Sequence, residues 1–337
     1  MATADITVMG AGVFGLSVAY ASARRGAFVR VIDPAGVAAG ASGGLVGALA
    51  PHVPENWNDK KAFQFESLIM AAAFWADVER LTGSDVGYAR SGRLQPLADA
   101  HAVALARARA LTAAELWQGK ATWEVVEAGS NGWMPPSPTG LVVHDTLSAL
   151  IHPRRATQAL ADAVVALGGE VMTEAPAEGS VVWATGWDGL REIGGNGVKG
   201  QAALLRYDAA GQPQLFADAL HIIPHGDGTV AIGSTSERAF DDPTATDTAL
   251  DDVLARAIAA FPVLEGAAVI ERWAGVRPRS QSRAPVLGMH PTRKGEFIAN
   301  GGFKIGFGMA PKVGEVMADF VLERRDTIPD GFRAPSG

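Results

Sequence analysis

Ile6-Thr-Val-Met9 runs directly into Gly10-Ala-Gly-Val-Phe-Gly15, and a second apolar run, Phe28 to Ile32, ends on the acid Asp33, eighteen residues after Gly15. The pattern predicts a strand, a glycine turn, a helix over Leu16–Arg25 and a second strand. Each glycine has its own task in such a unit. Gly10 permits the tight turn, Gly12 lets the backbone approach a pyrophosphate, and Gly15 lets helix and strand pack closely. The helix N-terminus turns unpaired N–H groups and a positive dipole end toward the phosphates. Asp33 is placed to accept from ribose hydroxyls. Together these residues read as a dinucleotide site.

The bulk composition narrows the rest. With 337 residues, 48% apolar and 19% charged, the chain can bury a large core and has length for two domains. A net charge of −7 with scattered basic residues argues against a nucleic-acid groove. The sequence has no cysteine, which excludes disulfides, a thiol nucleophile, cysteine-ligated metal and a cysteinyl flavin, and fits a cytoplasmic protein. No metal is expected. With the first strand beginning near residue 5, no cleaved signal peptide is expected, and stretches such as Leu45–Ala50 are too short to span a membrane.

Farther along, Phe65, Leu68, Ala72, Trp75 and Val78 mark one face of a helix over residues 61–81, ended by Gly83. Ala100–Ala110 and Thr112–Trp117 are short helical candidates, and Asn131–Gly140 is a Pro/Gly loop. Pro153 suits the first turn of a helix through Leu167, with strand Gly169–Thr173 and the run Ser180–Gly186 after it. Strands are then expected at Ala203–Tyr207, Leu215–Ile223 and Thr229–Gly233, with a hairpin turn at Asp227-Gly228. Helix Asp247–Ala260, strand Ala268–Trp273, strand Phe297–Asn300 and helix Pro311–Leu322 complete the reading. The alternating styles predict two interleaved domains: residues 1–84, 145–196 and 290–337 bind the dinucleotide, and residues 85–144 and 197–289 bind substrate.

Four segments carry candidate chemistry. Val182-Trp-Ala-Thr-Gly186 is a strand ending in small residues that leave space for a cofactor. Gly40-Ala-Ser-Gly-Gly-Leu-Val-Gly47 can lay its backbone against a ring system, with Ser42 as a hydrogen-bonding group. Gly301-Gly-Phe-Lys-Ile-Gly-Phe-Gly-Met-Ala-Pro311 leads a flat ligand to a helix N-terminus, whose dipole stabilises negative charge on a reduced flavin and gives a nicotinamide nothing comparable. Trp273-Ala-Gly-Val-Arg-Pro-Arg279 sets guanidinium groups just beyond a strand, with Pro278 fixing a turn; its two readings are a carboxylate fork and a surface salt bridge.

The order and spacing of these motifs resemble the D-amino-acid oxidase family of flavoproteins, and within it the small bacterial glycine-oxidase branch. Further matching text is Leu81–Tyr88, Ser91-Gly-Arg-Leu94, Ile151-His-Pro153, Val198-Lys-Gly-Gln201 and Ile223–Gly233. The resemblance implies an α/β FAD-binding domain of Rossmann type interleaved with an α+β substrate domain built on a large mixed sheet. It implies non-covalent FAD held by Gly10, Gly12, Val13, Phe14 and Gly15, by Asp33 and Pro34, and by Ser42, Gly43, Gly44 and Leu45. Ala184, Thr185 and Gly186, then Gly302, Phe303, Lys304, Ile305 and Gly306, complete that set. Arg277 takes the place of the family's carboxylate-binding arginine, with Arg279 as the fallback.

Two departures from the family pattern bear on substrate. His221 stands where the family has a substrate-facing tyrosine, with His225 near an arginine position, and Lys304 replaces an arginine in the last loop. A pocket histidine at 221 is expected to titrate near neutral pH. His52 is a candidate helper in amine deprotonation, or else a polar loop residue. The implied reaction is hydride transfer from a small amine-bearing carboxylate (glycine, a secondary glycine derivative or a D-amino acid) to flavin N5. The imine hydrolyses to a 2-oxo acid, and oxygen is reduced to hydrogen peroxide. An FAD-dependent dehydrogenase of an amino or 2-hydroxy acid with another electron acceptor, a non-catalytic FAD-binding protein and an NAD-dependent dehydrogenase are the competing readings. A homo-oligomer stays open.

Overall fold

The computed structural model describes residues 3–129 and 132–334. In chain order the strands are β1 (Ile6–Met9), β2 (Val29–Ile32), β3 (Ala48–Leu49), β4 (Arg93–Pro96), β5 (Trp123–Glu127), β6 (Leu141–Asp145), β7 (Ala149–Leu150) and β8 (Glu170–Met172). They continue as β9 (Ser180–Trp183), β10 (Asn196–Arg206), β11 (Gln214–Ala217), β12 (Leu220–Pro224), β13 (Thr229–Gly233), β14 (Ala268–Arg279), β15 (Val286–Met289) and β16 (Phe297–Asn300). The helices are α1 (Val13–Ala23), α2 (Asp59–Thr82), α3 (Ala100–Leu116), α4 (Pro153–Ala166), α5 (Gly186–Arg191), α6 (Thr248–Ala260) and α7 (Gly306–Glu323).

Two sheets organise these elements. The first has the order β15-β16-β9-β1-β2-β8 and is parallel except for β15, which pairs antiparallel with β16. Its centre, β1, is buried, with Ile6, Thr7 and Val8 fully covered and α1 packed against it. Every residue of α1 is buried, between the sheet and its helical neighbours α4 and α7. The second sheet has eight strands in the order β14-β10-β13-β12-β11-β4-β6-β5. It is antiparallel apart from the parallel β11–β4 pair, so it is mixed, as expected. β15, within the stretch expected for the substrate domain, lies in the first sheet.

Local sequence accounts for the helix ends. Asn58 caps α2 by accepting from the Lys61 amide, and Gly83 closes it in the left-handed region at φ 71°. Asp99 and Asp247 cap α3 and α6 in the same way. The two candidates expected over residues 100–117 are one helix, because Leu111-Thr112 contains no breaker. Helix α1 starts three residues before the expected Leu16, since the Leu16 amide already donates to the Gly12 carbonyl at 2.9 Å. The loop expected over Asn131–Gly140 is irregular over 132–140, and Asn131 itself lies outside the described residues.

Three further expectations are corrected. The stretch Leu215–Ile223 is a hairpin, β11 and β12, not one strand. Asp218 and Ala219 form its two-residue loop at φ 49° and 59°, the geometry that matches strand twist, and Arg256 braces it at Asp218. Strand β14 continues past Trp273, so Arg277 sits inside it, paired with Val198, and Pro278 forms no turn. Proline is tolerated there because β14 is an edge strand. The last helix begins at Gly306, and Pro311 lies within α7.

The mixed sheet holds one fully buried ion pair, in which Arg93 Nε donates to Asp145 Oδ2 at 2.9 Å, with Asp145 at 0% exposure. Asp145 Oδ1 also accepts from the Ser148 amide at 2.8 Å. Asp145→Ala leaves the guanidinium buried without its acid, so we expect a loss of about 3–5 kcal/mol of stability, read as a lowered urea midpoint. A loss under about 1 kcal/mol would mean that water reaches Arg93.

Candidate active site

The carboxyl ends of β1, β2, β9 and β16 open onto a cavity of about 750 Å³ whose far wall is the mixed sheet. This is where open α/β sheets bind their ligands. Gly10 turns the chain at φ 115°, and a Cβ on it would stand 2.4 Å from the Ala184 carbonyl oxygen. A Cβ on Gly15 would stand 2.0 Å from the Gly10 carbonyl oxygen. Gly12 differs. Its absent side chain faces only Ser42 Oγ at 3.2 Å, so its backbone is open to the cavity.

Asp33 ties the second strand to the glycine turn, since Oδ2 accepts from the Ala11 amide at 2.8 Å and Oδ1 from the Ala35 amide at 3.0 Å. Both oxygens keep a free lone pair for further donors. Ser42 Oγ accepts from the Val13 amide at 2.9 Å, so its contact within the chain is to the start of α1. Phe14, Pro34, Gly44, Leu45, Ala184, Thr185 and Gly186 line the cavity beside Gly10, Gly12, Val13, Asp33 and Ser42. Gly302, Phe303, Lys304 and Gly306 close it at the N-terminus of α7. Gly15, Gly43 and Ile305 lie outside this lining. Gly15 packs against Gly10, and the Gly43 carbonyl accepts from Arg154 Nε at 2.7 Å.

A long dinucleotide with a flat ring fits these residues. The open Gly12 backbone and the N-terminus of α1 suit a pyrophosphate, Asp33 suits a ribose, and the N-terminus of α7 suits the electron-rich edge of a flavin. Asn300 belongs to the same wall and was not singled out by the sequence. Its Nδ2 donates to the Gly186 carbonyl at 2.8 Å and its Oδ1 accepts from the Gly301 amide, which joins the ends of β9 and β16.

On the opposite wall, Arg277 is the arginine that lines the cavity; Arg279 does not. Val198, Gly200 and Ala202 of β10 pair with Arg277, Gly275 and Trp273 of β14, which places all six on one face. The two facing glycines form a trough. A Cβ on Gly200 would stand 1.9 Å from Arg277 Nη2, and one on Gly275 would stand 2.4 Å from Trp273 Cζ2. Arg277 Nη2 donates to Ser234 Oγ at 2.5 Å and Nη1 to the Thr235 carbonyl at 3.3 Å. No carboxylate comes within 4.0 Å of it among the described residues. Burial lowers its pKa to about 10, opposed by the charge of Glu237. Trp273, Phe216 and Ser234 complete this end; the alternation of Trp273, Gly275 and Arg277 was the one sequence signal for Trp273, hidden by taking the strand to stop there, and Phe216 on β11 and Ser234 just after β13 had none.

The histidines divide. His221 lines the cavity, its ring 4.7 Å from that of Phe216, and Nδ1 is buried without a partner. The expected titration near neutral pH is overturned: burial, with the charges of Arg93 and Lys304, pushes its pKa down to about 3. His225 is outside the lining; its Nε2 meets the Leu45 carbonyl at 3.1 Å and its ring packs 4.9 Å from that of His152. His52 is also outside the lining, where its amide and ring nitrogen both bond to Gln64 Oε1.

Both His221 and His152 are neutral in the folded protein, with pKa values of about 3 and about 4 against an ordinary 6.5. Below pH 6.5 the unfolded chain therefore binds protons that the native state refuses. Stability is full above that pH and falls toward pH 4. We expect Tm to drop over this interval, and His221→Phe to make the drop shallower in calorimetry. An unchanged slope would mean that His221 protonates in the folded state.

A family model described as FAD dependent oxidoreductase (DAO) matches residues 5–320. A glycine oxidase of Pseudomonas putida is 34% identical over 164 residues, 47% of this chain and 45% of that protein. A glycine oxidase of Geobacillus kaustophilus is 25% identical over 366 residues, 97% of this chain and 94% of that one. The match thus spans about half of the first relative and nearly all of the second. The solved iminodiacetate oxidase of Chelativorans sp. BNC1 superposes with a TM-score of 0.84 at 20% identity, over 98% of both chains, and shares the fold. With a family model that runs from the first strand into the last helix, and a cavity whose glycine turn, acid and helix ends suit the same cofactor, the chain belongs to the FAD-dependent oxidoreductases of the DAO family.

Proposed function

We propose that this protein carries out the FAD-dependent oxidation of a small amine-bearing carboxylate to the corresponding 2-oxo acid and ammonia, with oxygen reduced to hydrogen peroxide. The observation that carries this reading is Arg277, a half-buried guanidinium at the cavity wall with two donors engaged and no acid within 4.0 Å among the described residues. Its remaining N–H groups form a fork suited to a carboxylate. Relatives named glycine oxidase support the amino-acid class.

FAD bound along the glycine turn would supply the acceptor for two electrons from the substrate. The chain's part is positioning. Arg277, braced by Ser234 and Thr235, fixes the carboxylate and with it the direction of the Cα–H bond. Trp273 and Phe216 wall that end of the cavity against water. The acids lining the cavity are Asp33 and Asp188, neither of them in the mixed sheet that carries Arg277. The reading therefore assigns no carboxylate base, and the substrate amine loses its proton to solvent before reaction.

Arg277→Ala is expected to keep its yellow colour and lose about 2–5 kcal/mol of substrate capture, at least thirtyfold in kcat/KM. Gly200→Ala, which drives a methyl group into the guanidinium, is expected to act in the same direction with the charge retained. Anaerobic bleaching of the flavin by glycine, N-methylglycine and D-amino acids checks the reaction without regard to the acceptor. Bleaching by 2-hydroxy acids alone would remove the amine from the proposal.

A further inference from the structure

The buried cations of this protein are matched by acids. Arg93 has Asp145, Arg30 has Glu170 and Glu178, and Lys199 has Glu237 and Asp247. At the cavity wall stand two cations without such a match, the half-buried Arg277 and the exposed Lys304. Arg277 has no acid within 4.0 Å among the described residues, and neither has Lys304. Glu237, the acid that acts on Arg277, is already held by Lys199 and Gln201.

Lys304 stands on the loop between β16 and α7, with its Nζ 5.9 Å from the centroid of the Phe303 ring and no hydrogen-bond partner. Partial burial and the charge of Arg277 hold its ammonium below the ordinary lysine range. Its own charge in turn reaches His221. Lys304 is therefore electrostatically coupled to both polar groups that the mixed sheet contributes, Arg277 and His221. His221 is a neutral imidazole whose Nδ1 is buried with no partner among the described residues. The flavin edge has the N-terminus of α7 at Gly306 for its negative charge, which leaves the lysine free for another anion.

A glycine-like acid brings one carboxylate to this end of the cavity and satisfies one of the two cations. We propose that the substrate carries a second carboxylate, as an amino or imino dicarboxylate, with its near carboxylate on Arg277 and its far one held by Lys304 and His221. This rests on the reading of Arg277 as the carboxylate site and narrows it. The electron balance is unchanged, because the far carboxylate takes no part in the bond changes. Selectivity comes from charge: a monocarboxylate leaves Lys304, exposed at the cavity wall, to water, and the dianion gives it an anionic partner.

The test uses the FAD-loaded enzyme and two inert ligands that differ by one carboxylate, methoxyacetate and oxydiacetate. Binding is followed by calorimetry and by flavin absorbance at fixed ionic strength. The dianion is expected to bind about tenfold or more tightly than the monoanion, the effect of one charge-assisted hydrogen bond. Lys304→Gln should collapse that ratio toward one, and Lys304→Arg should keep it. Equal binding of the two ligands by the parent, a ratio indifferent to Lys304→Gln, or loss of FAD from that variant would each overturn the proposal. The underlying reading fails separately. If Arg277→Ala, or Arg277→Lys should the alanine variant not fold, binds methoxyacetate as the parent does, Arg277 is not the carboxylate site, whatever the ratio.

Discussion

Two backbone approaches, neither with room for a methyl group, set the geometry on which everything else depends. Gly15 rests on the Gly10 carbonyl, and Gly10 rests on the carbonyl of Ala184 at the end of β9. The first contact brings α1 down onto β1. The second brings the ends of two adjacent parallel strands together with their small residues outward. Pressed onto the sheet on one side and covered by α4 and α7 on the others, α1 is buried all round. Its N-terminus therefore points into the cavity, where Gly12 leaves its backbone uncovered.

The opposite wall solves a different problem, how to hold a half-buried guanidinium in place without an acid. Withdrawing a charge from water is costly, and the other interior cations here recover that cost through ion pairs. Arg277 has two hydroxyl or carbonyl acceptors and a trough made by omitting side chains at Gly200 and Gly275. The result is a side chain fixed in position but left short of negative charge, which is what a binding group for an anion requires.

Much of this was legible in the sequence, and the lapses have physical causes. The strand–turn–helix–strand unit ending at Asp33 reads directly because glycine spacing, apolar runs and the terminal acid are all local signals. The hairpin between β11 and β12 escaped notice because its loop is Asp218-Ala219, which lacks the glycine that normally announces a left-handed turn. Arg277 was placed beyond its strand because Pro278 reads as a breaker, and only the sheet order shows that β14 is an edge where proline costs little. Pro311 misled in the same way about the start of α7. The charge state of His221 is set by Arg93 and Lys304, which lie 128 and 83 residues away in the chain, so no local pattern carried it.

The pairing of β10 with β14 shifts register between Leu204 and Leu205, where Ile270 is passed over. That irregularity uncouples the two halves of β14. A residue gained or lost on the Ala268 side can be absorbed by enlarging or removing the bulge, and the pairing beyond it stays in phase. Between Trp273 and Arg277 there is no such slack. One residue added there turns the guanidinium to the other face of the sheet. Length variation in this strand is thus absorbed on one side of Ile270 and takes Arg277 out of the cavity on the other.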